Sequence, residues 1–197
     1  MENVAYKSAV QALYKWIMIG VVADIVAALV GWLWVDATEL ILGIISGDIS
    51  TYIGALLVLG ILGIVSFVAI IKIFTTLGKW KNAVDANDAP AVGKLKLAYL
   101  LTIIGAIIAL IPFLGFVSGI LGIIASILLI IGYAGLKNST TLPELARKGG
   151  KSLFIGAILS IVAAIVGFLP LLGWLGTIIG IVAWLLYILG WKDIANS

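Results

Sequence analysis

Six separate stretches of this chain are long and apolar enough to cross a bilayer as helices. A span needs roughly 20 such residues, with about 17 as a lower limit. The stretches are Trp16–Val35, Tyr52–Thr75, Leu95–Ile111, Phe116–Leu136, Leu153–Leu169 and Trp174–Trp191. In hydrocarbon, every backbone N–H and C=O must be satisfied within the protein, which leaves helices or a closed barrel. Barrel strands alternate in polarity, and these runs do not. Composition agrees: 63% of the 197 residues are hydrophobic and 11% charged, against about 45–50% and about 25% in soluble domains. An all-α integral membrane protein with six transmembrane helices is expected.

The second half contains one unit twice. Shifted by 58 positions, Leu97–Ser139 lies over Ile155–Ser197 with 16 of 43 residues identical. The informative matches are a proline, several glycines and the ends. Pro112 to Gly115 meets Pro170 to Gly173, and Asn138-Ser139 meets Asn196-Ser197. Pro112 and Pro170 each read as the corner of a tight helical hairpin, with a fixed φ followed by a permissive glycine. The first pair of spans is a looser third copy with a longer outer loop. Three parallel-oriented hairpin repeats follow, related by an axis along the membrane normal. The chain divides into an interfacial segment (1–15), hairpin one (16–75, outer loop 36–51), a loop (76–94), hairpin two (95–136), a loop (137–152), hairpin three (153–191) and a tail (192–197).

Charge orients this layout. All eleven lysines and the one arginine fall on one side of the six-span arrangement, while the opposite side carries Asp36, Glu39 and Asp48. The positive-inside rule then puts both termini in the cytoplasm, in the cytoplasmic membrane of a prokaryotic cell. Aromatic residues near the inner boundary (Tyr14, Trp16, Trp80, Tyr99, Tyr133, Trp191) and the outer one (Trp32, Trp34, Tyr52, Phe113, Phe116, Trp174) read as interfacial belts.

With no cysteine and no histidine, disulfides, Cys/His metal sites, a cysteine nucleophile and a histidine base are excluded. No enzyme activity, cofactor, metal site or nucleic-acid partner is expected. The outer acids lack calcium-loop spacing. Gly150-Lys151-Ser152 resembles the end of a phosphate loop, but Leu145 stands where its first glycine belongs.

Asp24 is the one acid inside a span, and Lys72 approaches from the second. Together they form the candidate intramembrane polar site, as a structural pair or capped carboxyl, as an ion or proton site, or as a shallow interfacial position. Gly115, Gly119, Gly122, Gly173, Gly176 and Gly180 are expected to let helix backbones approach closely. Thr141 to Glu144 reads as a capping box, and Asp88-Ala89-Pro90 as a helix start. The expected function is scaffold, accessory subunit or membrane-organising component. Its partners would be the lipid bilayer and a membrane protein or further copies of the chain. The alternative is a small transporter or channel using Asp24.

Overall fold

A computed structural model describes residues 4–36, 40, 43, 45–46, 50–111, 113–169 and 172–197. Among the described residues there are six long helices: α1 (Val4–Trp34), α2 (Ile53–Ala83), α3 (Ala89–Ala109), α4 (Gly115–Lys137), α5 (Glu144–Gly167) and α6 (Gly173–Ala195), with a 3-10 turn at Ser50–Tyr52. All six are long and apolar enough to cross a membrane. The chain is a multi-pass helical membrane protein.

Several helices outrun their apolar stretches. α1 and α2 each have 31 residues, about 46 Å at 1.5 Å per residue, against a hydrocarbon core of about 30 Å. The segment before Trp16 is therefore continuous helix with the span behind it. α5 begins at Glu144, well ahead of Leu153. Hydropathy detects only the part of a helix that meets lipid, so these extensions are invisible to it.

The helix starts need one correction. α3 begins at Ala89 with Pro90 in its first turn, as its sequence suggests. The capping box at Thr141 does not form: Pro143 is the residue ahead of α5, and no side chain caps the helix. Thr141 Oγ1 instead donates to Asp88 Oδ2. Ser139 Oγ accepts the backbone N–H groups of Thr141 and Leu142, at 3.2 and 2.9 Å. A long-range acceptor and a local turn have displaced the expected cap.

The corner between α3 and α4 also differs in detail. The left-handed residue there is Phe113, with φ 68°, while Gly115 opens α4 and Gly173 opens α6. The glycine therefore does not supply the turn conformation. Pro112 and Pro170, like Glu39 and Asp48, lie outside the described residues.

The chain forms two compact units, with boundaries inside α1 and α2. One contains the start of α1 up to Tyr14 and Ile73–Ser197; the other is Lys15–Lys72.

In the first unit α3 packs along α4, α5 along α6, and α4 along α5. The contacts of the two later hairpins recur at the 58-residue offset. A Cβ on Gly132 would meet Leu95 and the carbonyl of Ala91; a Cβ on Gly190 would meet Leu153 and the carbonyl of Gly149. Gly105 faces Ser118, and Gly176 faces Ala163, so the small residues change places at the corresponding crossing. Both ends of α4 recur 58 positions later in α6.

The core of this unit lies where α3 and α5 start and where α2, α4 and α6 end. Leu95, Trp80, Tyr133, Leu136, Leu153, Trp191 and Ile194 are all essentially inaccessible there. The opposite helix ends and middles present Ile107, Phe116, Ile123, Ile165 and Ile181 outward. This corrects the interfacial-belt reading of the inner aromatics. Trp80, Trp191 and Tyr133 are core residues, stacked edge to face at 6.1–6.2 Å between ring centroids. Of the outer aromatics, Trp32, Trp34, Phe113, Phe116 and Trp174 are exposed, but Tyr52 is buried. Depth along a helix does not specify which side of it a ring occupies.

Candidate functional site

The polar group expected within the membrane belongs to the second unit. Here α1 and α2 run antiparallel, and three contacts fix their register. The space beside Gly20 ends at the Ala69 methyl, 3.5 Å from where a Cβ would be. One turn further into the hairpin, Ser66 Oγ donates to Asp24 Oδ1 at 2.7 Å. One turn nearer the lysine-bearing end, Lys72 Nζ sits 5.7 Å from the centre of the Trp16 ring, a cation–π distance.

Asp24 and Lys72 thus meet different levels of the opposing helix. Ser66 and Lys72 are six positions apart on α2, about 9 Å along its axis. Asp24 is on an exposed face of α1. Ser66 did not figure in the sequence reading, although a signal existed: it is the one hydroxyl residue between Ile53 and Phe74. A carboxylate and a hydroxyl held in this way offer oxygen ligands to a cation or a site for a proton. Insertion scales charge about 2.5–3.5 kcal/mol for an ionised aspartate at mid-bilayer. A hydrogen bond between transmembrane helices is worth about 0.6 kcal/mol on average. At such a depth Ser66 would offset only part of that cost.

The six glycines expected at packing positions divide into two sets. Gly176 is pressed against Gly167 and the carbonyl of Ala163, each 2.8 Å from its would-be Cβ. Gly173 and Gly180 have ordinary neighbours at 3.8 Å. Gly115, Gly119 and Gly122 have no described atom within 4 Å and are exposed along α4.

Two further close backbone contacts lie elsewhere, at a pair of adjacent glycines in α5. A Cβ on Gly149 would fall 2.4 Å from the carbonyl oxygen of Gly190; one on Gly150 would fall 2.8 Å from the backbone nitrogen of Lys137. One glycine admits α6 and its neighbour admits the end of α4. Adjacent helix positions point about 100° apart, so a Gly-Gly step serves two partner helices at once. Its likeness to a phosphate-loop ending is incidental.

Four other span hydroxyls bond within their own helices, while those of Tyr99 and Tyr187 pair across α3 and α6 at 3.0 Å. Thr102, Ser126, Ser160 and Thr177 each donate to the carbonyl four residues back, at 2.9–3.3 Å. Among the described residues no three His, Cys, Asp or Glu side chains gather as metal ligands would.

Compared with protein families, with curated proteins and with solved structures, the chain finds no match.

Proposed function

We propose that this protein is a non-enzymatic scaffold, accessory subunit or membrane-organising component of a prokaryotic cytoplasmic membrane, acting through helix packing and lipid contact. The observation that carries this reading is the destination of four span hydroxyls, those of Thr102, Ser126, Ser160 and Thr177. Bonding to the carbonyl four residues back engages them within their own helices. Side chains used in this way support helix geometry rather than a hydrated path. The architecture that goes with the reading is three like-oriented hairpins. The recurrence of the Gly132 and Gly190 contacts supports it for the last two. Both chain ends then lie in the cytoplasm with the lysines.

A second reading, a small transporter or channel, draws on Asp24 and Ser66, because the hydrogen bond between them offsets so little of the cost of a carboxylate at that depth. One pair of experiments separates the two. Purified protein in proteoliposomes is expected to leave proton and ion gradients intact, and Asp24→Asn to alter thermal stability alone. Native purification from the membrane should recover one stoichiometric membrane protein or a defined homo-oligomer. Gradient dissipation by the native protein and its loss in Asp24→Asn would establish transport instead.

A further inference from the structure

A half-open cleft of about 350 Å³ lies in the first unit, where the start of α1 meets the α2–α3 and α4–α5 connections. Pockets for small ligands run from about 300 to 1,000 Å³. Its polar lining is Tyr6, Lys7, Asp85, Asp88, Thr141 and Ser197. Two long-range bonds build it: Thr141 to Asp88, and the Tyr6 hydroxyl with Ser197 Oγ at 3.0 Å. Asp88 is only 4% exposed, so one of the two acids is set deep in the wall. Asp85 Oδ1 accepts the backbone N–H of Asn87 at 2.9 Å. Each carboxylate therefore has a second oxygen that these bonds do not occupy.

We propose that this cleft binds a free amino acid with a cationic side chain. The lining presents two carboxylates and one ammonium group, and the complementary ligand carries two cationic groups and one carboxylate. The α-ammonium and the side-chain cation would go to Asp85 and Asp88. The ligand carboxylate would go to Lys7, whose ammonium carries three donors and already has a contact of its own. Val84, Leu142 and Pro143 supply apolar wall for the methylene chain. Tyr6 lies ahead of the span. Burial raises its phenol above the ordinary range, the Ser197 hydrogen bond pulls the other way, and the Asp88 charge raises it again. It therefore faces a ligand as a neutral hydroxyl. An anionic ligand would meet two carboxylates, and a bare divalent ion would meet Lys7 in a space much larger than itself.

Calorimetric titration of the full-length protein in neutral detergent with L-lysine tests the assignment. One-to-one binding is expected, weakened at least about tenfold by Asp85→Asn and by Lys7→Gln, each of which removes a charge-assisted contact. Putrescine, which lacks the carboxylate, should also bind at least about tenfold more weakly. Asp88→Asn breaks the Thr141 contact as well, so Asp85→Asn, at an exposed position, carries the test. Absence of L-lysine binding, native-strength binding by either variant, or equal affinity for putrescine overturns the proposal.

Discussion

Replacing Gly149 with leucine is expected to prevent the last two hairpins from packing, whereas leucine at Gly119 leaves the fold intact. At Gly149 even a Cβ would sit 2.4 Å from the Gly190 carbonyl oxygen and 2.8 Å from Ile194. The first obstacle is backbone, which no rotamer change can move, so α5 and α6 must separate. Overpacking a core costs about 1–3 kcal/mol where side chains can adjust, and more where they cannot. The separation would also release Gly190 from Leu153. Alanine at 149 should be milder, because the equivalent position 58 residues earlier is Ala91, which packs in place. Size-exclusion profiles and thermal unfolding in detergent read the difference. Gly149→Leu should aggregate or lose its transition, while Gly119→Leu, with no described atom within 4 Å, should match the native protein. Equal tolerance at both positions would mean that the α5–α6 crossing is not where the structure places it.

Trp191→Ala should be the most damaging large-to-small change, at about 3–5 kcal/mol. Trp191 is 1% exposed and holds edge-to-face contacts with Trp80, Tyr133 and Tyr187, all at 6.1–6.3 Å. Losing it therefore opens the centre of the cluster. Aromatic pairs add about 0.5–1.5 kcal/mol each beyond area burial. Trp191→Phe should recover most of the loss. The indole Nε1 makes no hydrogen bond despite being buried, and neither does Trp80 Nε1. Phenylalanine keeps ring contacts while removing a donor whose unmet desolvation costs about 1–3 kcal/mol. Chemical or thermal unfolding of both variants tests the order. If phenylalanine is as harmful as alanine, Trp191 Nε1–H is engaged and the cluster works through polarity rather than packing.

The parts of this fold legible in the sequence are those set by solvent. Lipid requires apolar runs and internal hydrogen bonding, so helix number and approximate position follow from hydropathy. The contacts of Gly132 with Leu95 and of Gly190 with Leu153 stand 58 positions apart, the same offset as the sequence match. What hydropathy misses is the side of a helix. Glycines at Gly119 and Gly176 look alike in spacing, yet only Gly176 touches a neighbouring backbone. Trp80 looks like an interfacial anchor, yet it is completely buried. Nor does an apolar pattern reveal a polar pairing between distant segments. Ser66 meets Asp24 across 42 positions and Thr141 meets Asp88 across 53. In each case one small hydroxyl residue provides the donor, and its partner is fixed only by the tertiary register.

Since no native cysteine is present, single introduced cysteines test the like-oriented hairpins most directly. Phe113→Cys marks the α3–α4 corner, where the native side chain is 97% exposed, and Ser197→Cys marks the opposite helix end. A membrane-impermeant maleimide applied to intact cells should label position 113 at once and position 197 only after permeabilisation. Labelling of position 197 from outside, or of both positions from one side, would contradict the arrangement.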